Sequence, residues 1–234
     1  FRIVIQPQVE TKNGRMFGGE VLLRWKNEGK EISPSKFVPI LEQTGMIAPV
    51  GIWILEETMR KGKEILKYQP DFRLSVNVSY LQIMDQKFFP FLEDTMERFQ
   101  IPAENLLIEL TETHFDEMPE HLQRFIRQCK QIGIRFALDD FGSAYSGLQL
   151  LLQYPADLIK LDRTLMREIT TSKEKMRFIM SVLKRSGSIS TSPCSQRMSR
   201  VMPSEARDGT VTAATSRMKY GASNLRRSIP CLPE

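Results

Sequence analysis

Six residues of this 234-residue chain could do chemistry together: Glu20, Asn77, Glu109, Asp139, Asp140 and Lys160. Each falls towards the end of a short apolar run. Asp139 and Asp140 stand side by side in "RFALDDFGSAYSGL", where such a run stops and Gly142 lets the chain turn. A carboxylate pair in that position fits a metal site, a phosphate-handling loop or simply a polar strand end. Glu20, Asn77, Glu109 and Asp139 are all hard oxygen donors. Such donors suit Mg²⁺, Mn²⁺ or Ca²⁺ better than zinc, which prefers His and Cys. The two histidines, His114 and His121, form no zinc pairing and read as surface residues. If the turn swings Asp140 back beside Asp139, two metals could share the doublet, the arrangement that holds the attacking and leaving oxygens in phosphoester hydrolysis.

The elements that must position these residues follow from alternation. "RIVIQP", "GGEVLLRW", "FRLSVNV", "LLIELTE", "IRFALDD" and "DLIKLD" read as strands. Splitting them by face puts Glu20, Leu22 and Arg24 on one side, with Ser75 and Asn77, Glu109 and Thr111, Arg135, Ala137 and Asp139, and Lys160 and Asp162 on the matching sides. The opposite faces carry Val21, Leu74, Val76, Ile108, Leu110, Phe136, Leu138, Ile159 and Leu161. One such strand would read as a solvent-facing strand with a polar side. Five in succession, each placing a polar group towards its C-terminal end, match a parallel barrel, whose catalytic residues face the axis at that end.

Helical patterns fill the gaps. Leu122, Phe125, Ile126 and Cys129 form a stripe that Gly133 closes; Met176, Ile179, Met180 and Leu183 form another; and Ser33-Pro34 opens a helix in cap-then-proline order. Residues 37–55 are apolar but contain Glu42, Gln43, Thr44 and two prolines, so they read as helix, turn and helix and not a membrane span. Strand–helix alternation of this kind predicts an α/β sheet covered by helices.

Charge narrows the partners. Residues 185–234 hold eight Lys and Arg against three Asp and Glu, which leaves 25 of each sign in residues 1–184. The body is neutral, so no nucleic-acid polymer is expected as a partner. A basic tail with Tyr220 as its sole aromatic is a poor nucleic-acid binder as well. The three cysteines make neither a disulfide framework nor a zinc pattern, and Cys129 reads as core. A reducing cytoplasm fits, no secretory leader is visible, and the chain, starting without Met inside a strand-like run, reads as a fragment. "DFG" at 140–142 suggests a kinase, but the glycine-rich loop, the Val-Ala-Ile-Lys strand and the His-Arg-Asp loop are missing, as is a P-loop.

Beyond Arg185 the texture changes. Ser, Arg, Thr and Pro dominate, with no convincing strand or helical stripe. Such a segment cannot bury enough apolar surface to offset its ordering entropy. It reads as a disordered tail or as an out-of-frame or unrelated extension. The expected organisation is a domain over 1–184 and a low-complexity segment over 185–234.

"GGEVLLRW" resembles the signature strand of EAL-domain cyclic-di-GMP phosphodiesterases, with Val21 in place of the alanine. "QP" at 6–7, "ISPSKFVPILEQTGMI" at 32–47, "NVS" at 77–79, "IELTE" at 108–112, "LDDFGSAYSGL" at 138–148 and "PADLIKLDR" at 155–163 are similar to that family's motifs, in the family's order. The resemblance implies a TIM-like (β/α) barrel that hydrolyses cyclic-di-GMP to linear pGpG with Mg²⁺ or Mn²⁺. It implies Glu20, Asn77, Glu109 and Asp139 as ligands of one metal, Asp140 as ligand of a second, and Lys160 as the residue that orients or activates water. Gln6, Leu22 and Arg24 would meet the nucleotide, while Phe141, Gly142, Ser143, Tyr145 and Ser146 would form a loop that links metal binding to homodimer formation. Asp162 reads as structural. The family's last two strands, one with an Ala-Glu-Gly-Val-Glu-like motif and one with a Gln-Gly pair, have no counterpart after Arg185. The expected barrel is therefore incomplete at its C-terminal end, with open sheet edges, and the chain is expected to be inactive or weakly active by itself. The alternative is a non-catalytic domain that binds cyclic-di-GMP or a protein. The segment itself is expected to lie in the cytoplasm and to make no direct membrane contact.

Overall fold

The structure, a computed structural model, describes residues 1–10, 13–111, 120–141, 156–162, 165, 174, 177, 188–191 and 211–214. The six expected strands are all present: β1 (Arg2–Glu10), β2 (Met16–Asn27), β4 (Arg73–Asn77), β5 (Leu106–Thr111), β6 (Arg135–Phe141) and β7 (Leu158–Leu161). β3 (Lys30–Ile32) was not foreseen; it folds back on the end of β2 through Glu28 and Gly29, both at positive φ, 47° and 81°. A two-residue hairpin turn of that hand needs φ > 0 at both central positions, and glycine adopts it without strain.

β2, β4, β5, β6 and β7 run parallel, each hydrogen-bonded to the next, and β1 closes on β2 antiparallel. Helices α1 (Pro34–Gln43), α2 (Ile47–Leu66), α3 (Tyr80–Ile83), α4 (Phe88–Phe99) and α5 (Glu120–Gln131) join them. α1 begins with Pro34 after Ser33, as the cap-then-proline order predicts. α5 buries Leu122, Phe125, Ile126 and Cys129, the stripe read from the sequence, and ends at Gly133 with φ 97°. The stripe at 176–183 lies outside the described residues apart from Arg177, which is helical.

Two apolar layers result. Outside the strands, Val21, Leu74, Val76, Leu106, Ile108, Ile134 and Phe136 pack beneath Leu55 and Met59 of α2, Leu92 and Met96 of α4 and the α5 stripe. Phe125 stacks edge-on against Phe136 and tilted against Phe88. Inside the strands, Leu107, Ala137 and Leu158 form a small separate cluster. Within the parallel strands the faces thus divide as alternation predicts, and the inner apolar plug supports the polar residues above it.

The tail departs from expectation. Ser188–Thr191 and Val211–Ala214 form four-residue strands, β8 and β9. β8 pairs parallel with β7, and β9 pairs parallel with β8 and antiparallel with β1. The edges of β7 and β1, expected to be open, are both paired. Unpaired edge N–H and C=O groups accept any short extended segment, and "SIST" and "VTAA" contain the β-branched residues that suit one. The fold is an α/β, TIM-like barrel, incomplete at its C-terminal end: beyond Leu161 the described strands are only these two short ones.

Candidate functional site

Strand register explains why residues far apart in sequence meet. Glu20 lies beside Ser75 across the β2–β4 pair, Asn77 beside Glu109 across β4–β5, and Gln6 opposite Glu20 across β1–β2. Side chains that share the inner face converge on the axis at the C-terminal end of the parallel strands.

Lys160 sits at the centre. Its Nζ donates to Glu109 Oε2 at 2.7 Å, Asp139 Oδ2 at 2.8 Å and Glu20 Oε2 at 3.1 Å. Glu109 is 1% exposed and Lys160 4%. Three carboxylates around one ammonium leave two negative charges when all are ionised. Buried charge of that kind is costly unless it is compensated. Burial, reinforced by Glu20 and Asp139, outweighs the attraction of Lys160 and pushes the Glu109 carboxyl up to about 8. For Lys160 burial works the other way, but Glu109, Asp139 and Glu20 prevail and raise its pKa above the usual lysine range, so the ammonium form is favoured.

Asn77 joins through its Nδ2, which donates to Glu20 Oε1 at 3.2 Å. Asp140 adopts φ 54°, at an irregularity in the β6–β7 register, and its N–H donates to Asp139 Oδ1 at 2.9 Å. This left-handed turn, tolerated by Asp better than by most residues, keeps Asp140 at the acidic mouth. Partial loss of water, with Asp139, Asp162 and Glu20 close by, raises its pKa. Leu22 and Arg24 follow Glu20 on the same face of β2, and Arg24 lies roughly 13 Å further along the strand at about 3.3 Å per residue. The Arg24 guanidinium donates to Leu23 O. Phe141 is buried at the end of β6. Gly142, Ser143, Tyr145 and Ser146 lie outside the described residues, as does His114; His121 is a half-buried residue of α5 and takes no part in the site.

Glu20, Glu109 and Asp139 each offer a carboxylate oxygen within 4.8 Å of the others. Convergent hard donors that leave two uncompensated negative charges once all are ionised fit a divalent cation such as Mg²⁺ or Mn²⁺. Sequence reasoning overlooked the layer beneath: Gln8 is fully buried on the inner face, with Ser75 Oγ 3.5 Å from its Oε1. The signal was available, because Gln8 is two residues from Gln6 and Ser75 two from Asn77.

An acidic, cation-compatible cluster at the C-terminal mouth of the parallel strands stands where proteins of the (β/α) barrel class carry their active sites. The chain belongs to the EAL domain family, whose model matches residues 1–190. It is 33% identical over 181 residues to the cyclic di-GMP phosphodiesterase PdeR of Escherichia coli, covering 76% of this chain and 27% of that protein. It is 29% identical over 180 residues to the bifunctional diguanylate cyclase/cyclic di-GMP phosphodiesterase MucR of Pseudomonas aeruginosa, covering 76% and 26%. The chain thus spans about a quarter of the length of these relatives. The solved EAL enzyme Bd1971, bound to cAMP and cyclic-di-GMP, superposes with a TM-score of 0.80 at 26% identity over 92% of this chain and 60% of that one. The MucR phosphodiesterase in complex with c-di-GMP superposes with a TM-score of 0.77 over 96% and 93%; at 24% identity it supports the fold alone. Among the described residues no helix is long and apolar enough to cross a membrane.

Proposed function

We propose that this EAL domain binds cyclic-di-GMP at the mouth of the barrel and hydrolyses it to linear pGpG in a reaction that depends on Mg²⁺ or Mn²⁺. The observation that carries the reading is the cluster of Glu20, Glu109 and Asp139 around Lys160. The relatives named as cyclic-di-GMP phosphodiesterases give the substrate class.

Glu20, Asn77, Glu109 and Asp139 would hold one cation and Asp140 would serve a second. When bound, the cations supply Lewis acidity towards the phosphate oxygens and the attacking water. The chain's own residues do the rest. Lys160, whose ammonium lies among these carboxylates, would orient the attacking water, whose oxygen bonds to phosphorus and whose proton passes to the leaving sugar oxygen as that P–O bond breaks. Arg24 neutralises a phosphate oxygen, while Gln6, opposite Glu20, and Leu22 shape the nucleotide's seat. Phe141, Gly142, Ser143, Tyr145 and Ser146 would connect the site to a homodimer contact, and the domain would act in the cytoplasm without itself contacting a membrane.

We further propose that residues 1–184 are the functional unit, lacking the family's last two strands, and that residues 185–234 are a low-complexity tail. The family match ends at residue 190 and neither "SIST" nor "VTAA" carries a carboxylate. That observation favours a second reading, a cyclic-di-GMP receptor without turnover. Incubating the purified chain with cyclic-di-GMP, Mg²⁺ and Mn²⁺ decides between them. Formation of pGpG that disappears in Asp139→Asn supports the enzyme; saturable binding without pGpG supports the receptor; neither binding nor turnover rejects both.

A further inference from the structure

Beneath the acidic cluster lies a second buried polar layer. Gln8 is 0% exposed and Ser75 is also fully buried. Gln8 stands opposite Gly18, and Gly18 stands beside Arg73 on β4, two residues before Ser75. Because Gly18 has no side chain, Gln8 reaches past it to Ser75. There the hydroxyl lies 3.5 Å from Gln8 Oε1, a long contact that orients the carboxamide more than it stabilises it. With Oε1 turned to Ser75, Gln8 Nε2 is left buried and, among the described residues, without a partner. One strand beyond Ser75, Glu109 Oε1 is also buried and unpartnered, while its other oxygen, Oε2, binds Lys160. Gln6 Nε2, higher on the same strand and opposite Glu20, is a second buried donor without a partner among the described residues; spare donors and a spare acceptor within one barrel interior each carry a desolvation cost. Native interiors rarely leave both unmet, and a water enclosed between such groups is a common solution.

We propose that Gln8 is a positioning residue for the acidic site. Through one enclosed water, its Nε2 holds Glu109 Oε1 and thereby fixes the rotamer in which Oε2 faces Glu20 and Asp139. Ser75 holds Gln8 in turn. Ligating carboxylates are commonly oriented by such outer hydrogen bonds, and losing one weakens metal binding about 10- to 100-fold. The inference rests on the reading of Glu20, Glu109 and Asp139 as a divalent-cation site.

The test is Mn²⁺ affinity of the full chain, read from the EPR signal of free Mn²⁺, alongside the melting temperature of the metal-free protein. In Gln8→Met, which keeps the volume and removes the amide, Mn²⁺ binding should weaken about tenfold while the metal-free melting temperature holds or rises. A filler with no role in the site would do the reverse, lowering the melting temperature and leaving the affinity alone; that result overturns the proposal. Ser75→Ala should weaken Mn²⁺ binding in the same direction and Ser75→Thr should restore it; equal affinities for these two overturn the proposal even if Gln8→Met fails to fold. Absence of Mn²⁺ binding by the unaltered chain would instead reject the cation site itself, and this inference with it.

Discussion

Ile108 and Glu109 are neighbours on β5, and both are buried. Ile108 points outwards beneath the helices, Glu109 inwards to Lys160. The difference between them runs through the molecule. Outward burial removes apolar surface from water and stabilises the barrel, by about 1.5–3 kcal/mol for a side chain of that size. Inward burial strips water from a carboxylate that two other carboxylates repel, and it is tolerated because one ammonium stands in the middle. The outer face holds the barrel together; the inner face uses part of that stability to keep charge where a ligand can meet it.

The sharpest way to break this comparison is to remove an inner carboxylate. On the enzyme reading proposed above, Asp139→Asn should lower pGpG formation by about 10³-fold or more, roughly 4 kcal/mol of transition-state stabilisation, measured as initial rates with Mn²⁺. Glu109→Gln should lose activity to a similar degree, yet its metal-free melting temperature at neutral pH should not fall, because the buried carboxyl, pushed up to about 8, is already largely protonated there and glutamine keeps its shape. A melting temperature that drops in step with activity would show that Glu109 serves the fold.

Removing the ammonium inverts the effect. Lys160→Met leaves three carboxylates facing one another, and breaking a buried pair from one side costs about 3–5 kcal/mol. Urea unfolding in EDTA should show that loss, and added Mn²⁺ should recover part of it by supplying the missing positive charge. No recovery would mean that the cluster is built for lysine alone.

On the outer face the expected result is plainer. Ile108→Ala should lower stability by about 2–5 kcal/mol through lost burial and a cavity beneath the helices. The folded fraction should bind Mn²⁺ as before. A large change in affinity per folded molecule would join two layers that the packing keeps separate.

The same division governs what was legible in the sequence. Alternation exposes itself wherever a strand has one apolar face, so β1, β2, β4 to β7 and the residues Glu20, Asn77, Glu109, Asp139 and Lys160 could be read one strand at a time. Convergence on one ammonium could not, because it depends on register between strands: Lys160 meets Glu20 140 residues away. Gln8 was missed, and Ser75 was placed on the inner face but given no role, for a related reason. An isolated Gln or Ser on a strand looks solvent-facing, and only closure of the barrel shows that its inner face is dry. β3 depends on a hairpin turn in which Glu28 takes the positive φ usually left to Gly or Asn, so its signal was weak. β8 and β9 form on edges that other strands provide, and a four-residue run has little periodicity of its own.

The smallest expected effect concerns pH, and its sign follows from Glu109. Its carboxyl titrates near 8 when folded, above the ordinary value of 4.5, because burial and the charges of Glu20 and Asp139 outweigh Lys160. Between those values the folded chain holds a proton that the unfolded chain has released, so metal-free stability falls as pH rises. The raised pKa of Asp140 adds a slope of the same sign. Lys160, raised above its ordinary 10.5, stays charged in both states across this window and contributes no slope. The urea midpoint in EDTA should therefore be lower at pH 8.5 than at pH 5.5, by stability on the order of 2 kcal/mol. Glu109→Gln should flatten the dependence. Saturating Mn²⁺ should reverse it, because a cation competes with the proton and favours the ionised carboxylates. A metal-free midpoint that rises with pH would show that Lys160 compensates Glu109 fully, and the inner face would then be stabilising in its own right.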